Sequence, residues 1–314
     1  MNSQAEKLEN GHWNSHSGVE YNGALHVEGV NLINSQGNPL RLKGMSTYGM
    51  QWLPQFASEG SLRTIKGYGA NVLRVAMYTD EDGYIANPGK IKQAVYEAMD
   101  TAIKLDLYVI VDWHILHDNN PQIYKKEAKA FFAETAAKYA DNPAVLYEIC
   151  NEPNGKVTWK DDIKPYAEEL IPVIRRYSPD AVVLVGCASW SQDVNQPADL
   201  PLRFSNVMYT CHFYAGTHGE SLRKKIEYAL SKGIPVFVSE WGTTKADGNN
   251  GVYIKQSEEW LEFLDQHGIS WANWSLGDKD ESSAALKPGA SANGKWSEAD
   301  WSESGAYVFQ KFVP

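Results

Sequence analysis

Two glutamates, Glu152 and Glu240, are the residues of this 314-residue chain whose type and setting best suit chemistry. Each falls at the carboxyl end of a short apolar run, with an amide before one (Cys150-Asn151-Glu152-Pro153) and an aromatic after the other (Ser239-Glu240-Trp241-Gly242). Two carboxyl groups that face each other can cleave a glycosidic bond. One protonates the leaving oxygen and the other meets the cationic anomeric carbon. A lone carboxylate in such a place more often meets solvent or an arginine, so the neighbours decide. Other runs close on Arg74 and Tyr78, on His114, on His212 and Tyr214, and on Trp274. Hydrogen-bonding and aromatic groups at the end of strand after strand imply one shared mouth.

The elements that must position them are short apolar runs alternating with segments of helical period, the pattern of a parallel sheet with helices outside it. Eight strands are expected, over 41–47, 71–79, 107–115, 145–152, 181–190, 207–214, 235–241 and 271–276. Between them, Ile91, Val95, Met99 and Ile103 recur every four residues and mark one helical face. Similar helices are read in KEAKAFFAETAAKYAD, DIKPYAEELIPVIRRY, SLRKKIEYALSKG and YIKQSEEWLEFLDQHG. The fold expected is α/β, a single (β/α)8 TIM barrel. An N-terminal β-hairpin with a Gly-Asn-Pro turn, within LHVEGVNLINSQGNPLRLKG, caps the barrel floor. Residues 1–19 read as a disordered polar lead-in and 20–314 as the (β/α)8 catalytic domain. In such a barrel the site lies at the carboxyl ends of the strands, and the fourth and seventh strands face each other across it.

Composition narrows the function. A formal charge of −10 argues against a surface that neutralises phosphates, and no nucleic-acid or membrane partner is expected. Eleven tryptophans suit flat sugar faces, although most of them are expected in the core. Cys150, Cys187 and Cys211 read as small buried residues. No metal or cofactor is expected: His114, His117 and His212 show no HExxH helix, no GxSxG elbow follows a strand, and GMSTYG fits no GxGxxG loop. The polar start lacks the pattern of an export signal, which is expected to have been removed from a secreted, monomeric enzyme.

The elements LRLKGMSTYGMQW, NVLRVAMYT, YVIVDWHIL, VLYEICNEPNG, MYTCHFYAGTH, IPVFVSEWGT and WANWSLGDKDESSAALKPGA carry a resemblance. In order and spacing the chain resembles glycoside hydrolase family 5, in its bacterial endoglucanase (cellulase) branch. The resemblance implies an endo-β-1,4-glucanase acting on β-1,4-glucan and cellooligosaccharides, with retention of configuration through a covalent glycosyl-enzyme. By it Glu152 is the acid/base and Glu240 the nucleophile. Arg74 and Asn151 orient the nucleophile and the sugar 2-hydroxyl, His114 and His212 line the reacting subsite, and Tyr214 bonds the nucleophile. Trp52, Tyr78 and Trp274 contact glucose units, Lys279 reaches a hydroxyl farther along, and Trp190 lines the leaving-group side. Tyr48 stands where many relatives carry His, and can donate a hydrogen bond but not become cationic. Residues read alone leave two other functions open: a mannanase, xyloglucanase or mixed-linkage glucanase, and a non-catalytic carbohydrate-binding barrel.

Overall fold

The structure, a computed structural model, describes residues 17–312. Most of the predicted lead-in lies outside the described residues; Val19–Asn22 forms a helical turn, and the Glu20 amide donates to Asp106 at 2.7 Å. Strands β1 (His26–Glu28) and β2 (Asn31–Ile33) follow as an antiparallel pair. Their turn is made by Gly29, at φ +60°, and Val30, not by the Gly-Asn-Pro triplet. That triplet forms a second reversal in which Ile33 pairs with Pro39, and Asn34 Oδ1 organises it by accepting from the Gln36 and Asn38 amides. A side-chain oxygen that mimics a backbone acceptor is what favours Asn in such turns.

The pair packs beneath the barrel. Leu25, Leu32 and Leu42 form one buried cluster with Val72, Tyr108, Leu146, Met208 and Phe237 from the barrel strands. The Val27 amide donates to Asn206 Oδ1 at 2.9 Å and the Tyr108 hydroxyl to the Gly23 carbonyl at 2.7 Å.

Eight parallel strands close the barrel in chain order. They are β3 (Lys43–Thr47), β4 (Val72–Tyr78), β5 (Tyr108–His114), β6 (Val145–Glu148), β7 (Val183–Val185), β8 (Val207–Tyr214), β9 (Val236–Gly242) and β10 (Trp271–Leu276). Two are much shorter than the sequence suggests. β6 ends at Glu148, so Asn151 and Glu152 lie on the segment beyond it, where Pro153 has no amide to continue a ladder. β7 stops at Val185. Ser189, Trp190 and Ser191 then take left-handed φ values of 57°, 56° and 54°.

Five helices fall where periodicity puts them, at Pro88–Lys104, Lys125–Lys138, Lys164–Arg175, Glu220–Ser231 and Ile254–Gln266, whereas the helix Glu59–Gly67, between β3 and β4, has no counterpart in that reading. In the first, Ile91, Val95, Ala98, Met99 and Ala102 are buried, one face turned to the barrel. Aromatic contacts tie this outer layer to the strands: Phe213 of β8 stacks on Trp260 with ring centroids 3.9 Å apart. Short helices at Asn195–Asp199 and Glu303–Val308 were beyond the reach of the apolar pattern, being too short to show a period. Cys150, Cys187 and Cys211 are free and buried, and burial pushes their thiols up, which leaves them unreactive.

Candidate active site

Inside the barrel, three strands each place a charged residue in the middle of an apolar run. Register aligns Asp112 of β5 with Glu148 of β6, and Ser46 of β3 with Arg74 of β4. Arg74 sits mid-strand and fully buried, below the mouth and not at it. Its Nε and Nη2 donate to the two oxygens of Glu148 at 2.7 and 3.1 Å, Nη2 also lies 3.0 Å from Asp112, and Nη1 donates to Glu240 Oε2 at 2.9 Å. A buried guanidinium needs this many acceptors, since an unpaired buried charge is costly. Paired in this way, its pKa stands well above the usual arginine value, although burial alone would lower it.

Glu240 is consequently fixed from two sides. Arg74 holds Oε2, and the Tyr214 hydroxyl donates to Oε1 at 2.8 Å. Gly242, the register partner of Tyr214, makes room for that ring: a Cβ there would come within 2.4 Å of it. Burial raises the Glu240 pKa, but the charges of His212 and Arg74 outweigh it, so the carboxyl stays below the ordinary range.

Glu152 experiences the opposite balance. Burial is the largest influence and the charge of Glu240 adds to it, so its pKa is raised despite the His212 contact, Nδ1 to Oε1 at 2.9 Å. Ligand atoms of Glu152, His212 and Glu240 all lie within 4.8 Å of one another. This trio has the composition of a metal site, yet both His212 nitrogens and both Glu240 oxygens already have protein partners. What the arrangement offers is one carboxyl inclined to keep its proton and another held ionised, less than 5 Å away. Such a pair can protonate a leaving group while attacking from the other face, and the separation is too small to hold a water between base and carbon.

The pair opens into a cleft of about 610 Å³, lined by Tyr48, Tyr78, His114, Trp190, His212, Tyr214, Trp274 and Lys279 among others. Trp52 does not line it but continues its aromatic edge, 40% exposed, with its ring 4.9 Å from Tyr78 and 5.5 Å from Tyr48. His114 stacks on Trp274 at 5.5 Å and is anchored by Asp112 at 2.6 Å. Lys279 donates to the Tyr48 hydroxyl and pairs with Glu281, so the tyrosine and lysine form one unit. Asn151 is fully buried; its Oδ1 accepts from Arg74 at 2.7 Å and its Nδ2 donates to the Ile115 carbonyl at 3.0 Å. His117 also lines the cleft and pairs with Glu81, whereas Asp118 is buried against Thr79 and shapes the loop.

Reading strand ends alone missed Asp112, Glu148 and Ser239, which lie one layer lower. The signal available was an acid within an apolar strand, VIVDWH and VLYE, which is costly to bury unless a cation is nearby.

Comparison with known proteins matches residues 33–280 to Cellulase (glycosyl hydrolase family 5). An endoglucanase of Clostridium saccharobutylicum is 52% identical over 92% of this chain and 65% of its own length. Endoglucanase A of Evansella cellulosilytica is 54% identical over 88% of this chain and 57% of its own. The chain therefore spans less than two thirds of either relative. Among solved structures, the catalytic domain of a Thermobifida fusca endoglucanase in complex with cellotetraose superposes with a TM-score of 0.90 at 38% identity, covering 94% of this chain and 98% of that one.

Proposed function

The chain belongs to glycosyl hydrolase family 5, and from that premise we propose that residues 20–314 form the catalytic domain of a retaining endo-β-1,4-glucanase, with Glu152 as acid/base and Glu240 as nucleophile. The observation that carries this reading is the pair of buried carboxyls within 4.8 Å of each other at the base of an aromatic-lined cleft. Relatives named endoglucanase, and a similar structure described in complex with cellotetraose, support β-1,4-glucan as the substrate.

In the first step a Glu240 oxygen bonds to the anomeric carbon as the glycosidic C–O bond breaks, and the Glu152 proton passes to the departing oxygen. The Glu240 charge is consumed in the ester, so the field that raised Glu152 disappears and Glu152 remains as carboxylate. In the second step Glu152 takes a proton from water, the water oxygen bonds to the anomeric carbon, and Glu240 is released ionised. Tyr214 and Arg74 keep the nucleophile aimed. Tyr48, Trp52, Tyr78 and Trp274 offer surfaces to glucose rings on one side and Trp190 on the other. The enzyme works outside the cell in this reading, since a polysaccharide cannot cross a membrane to reach it, and as a monomer, since one chain supplies the carboxyl pair and the cleft lining.

Product analysis on cellopentaose tests the reading. Internal cleavage is expected, with the β-anomer as first-formed product by NMR; an α-anomer at early times sinks the two-step mechanism. Parallel assays on carboxymethylcellulose, mannan and xyloglucan test the sugar, and faster turnover of mannan or xyloglucan would overturn the glucan assignment.

A further inference from the structure

Beneath the carboxyl pair, the hydrogen-bond directions determine where a proton can move. Ser239 Oγ lies 2.7 Å from Glu148 Oε1 and 2.9 Å from His212 Nε2, and a hydroxyl has one proton to give. Glu148 accepts from Arg74 through both oxygens. Burial would raise its pKa, but the Arg74 charge draws it down to about 2, so it only accepts. The Ser239 proton therefore goes to Glu148, and Oγ is left to accept. His212 Nε2 must be the donor to it. The second ring nitrogen, Nδ1, faces Glu152 Oε1 at 2.9 Å.

We propose that Glu148 and Ser239 are positioning residues that pin a proton on His212 Nε2, so that any proton the His212–Glu152 pair gains or loses is exchanged at the Nδ1 to Oε1 contact. This rests on the reading of Glu152 as the proton donor and extends it: the acid is charged and discharged at its own hydrogen bond, and the ring cannot turn its bare nitrogen away. The groups around the imidazole agree with this. Glu148 and Glu152 face it from β6 and the segment beyond, Glu240 from β9, and Tyr214 follows on its own strand, while Arg74 and His114 face those carboxylates from β4 and β5. Burial lowers the His212 pKa, but Glu148 and Glu152 raise it to about 9.

Two measurements test the relay. In the wild-type protein, 15N NMR of His212 through its titration should show Nε2 protonated in both charge states, with Nδ1 alone changing. A neutral ring carrying its proton on Nδ1 overturns the proposal without any variant. In Glu148→Gln the side-chain amide keeps its oxygen toward Arg74 and donates to Ser239, whose hydroxyl then donates to Nε2; the carboxylate that raised the imidazole is gone as well. Both changes lower the pKa of the pair. The alkaline limb of kcat/KM on cellotetraose should move down by about one pH unit. The profile for 2,4-dinitrophenyl β-cellobioside, whose leaving group needs no proton from Glu152, should keep its wild-type shape. An unmoved limb, or equal movement on both substrates, contradicts the relay. A wild-type chain that cleaves neither substrate sinks the glucanase reading instead, and the NMR result then still decides the tautomer.

Discussion

Glu152 and Glu240 are the same residue type with opposite tendencies, and their partners account for the difference. Glu240 has a guanidinium and a phenol on its oxygens, whereas Glu152 has an imidazole and a like charge beside it. Substitution should separate the roles. Glu240→Gln is expected to lose about 10⁴-fold or more in turnover on every substrate, and Glu152→Gln roughly 10²- to 10⁴-fold on cellotetraose. Glu152→Gln should keep a fast first step on dinitrophenyl cellobioside, read as a burst of dinitrophenol; equal losses on both substrates would refute the acid assignment. Tyr214→Phe removes a hydrogen bond that favours ionised Glu240, so the Glu240 pKa rises and the acid limb of kcat/KM moves upward, by about one pH unit. A profile identical to wild type would show that the contact does not tune the nucleophile.

Elements carry the next level of control, and the clearest case is the turn after β7. Left-handed φ at three consecutive non-glycine residues, Ser189 to Ser191, is strained by about 1–3 kcal/mol at each. The surroundings must hold it. Ser191 Oγ donates to the Asn151 carbonyl at 2.6 Å, the Trp190 amide to the Pro153 carbonyl at 3.0 Å, and Ser189 Oγ to Asp193 at 2.8 Å. Asp193 is itself fixed by Lys225 at 2.6 Å. The consequence is an indole left 47% exposed on the rim of the cleft, tied to the segment that carries Glu152. A platform held this firmly suits a sugar ring on the leaving-group side. Trp190→Ala should raise KM for cellopentaose roughly tenfold with a much smaller change in kcat. A change confined to kcat would place the indole in the chemistry and not in binding.

At the scale of the whole molecule, the barrel interior is a charge network whose stability depends on pH. His212 is raised from 6.5 to about 9 by Glu148 and Glu152, against burial. A raised histidine stabilises the fold fully below its unfolded value, and that contribution disappears as pH rises through the folded one. Glu148 is depressed to about 2, chiefly by Arg74 acting against burial, so its contribution is present above 4.5 and is lost as pH falls through 2. Glu152 and Asp112, raised mainly by burial, oppose these gains once pH exceeds the ordinary carboxyl range. Urea unfolding should therefore show stability falling between pH 6.5 and 9, by at most about 3 kcal/mol from His212. In His212→Gln that slope should flatten while stability at pH 6 drops; an unchanged slope would assign the alkaline loss to other groups.

Much of this protein is legible without coordinates. Alternation of apolar runs and periodic helices specifies the barrel, because parallel strands buried on both faces must be apolar and their helices must show one apolar stripe. Glu152, His114, His212, Tyr214, Glu240 and Trp274, at or just beyond the ends of those runs, mark the mouth, since polar and aromatic groups gather where a run meets solvent or substrate. Tertiary structure alone decided how far apart the two carboxyls stand, because residues 88 positions apart in sequence are joined only by barrel closure. It also decided the lower layer of Asp112, Glu148 and Ser239, the turn that exposes Trp190, and the early end of β6. Hydrophobic pattern records which residues leave water, but hydrogen-bond direction and charge balance arise between strands, and no single stretch of chain contains them.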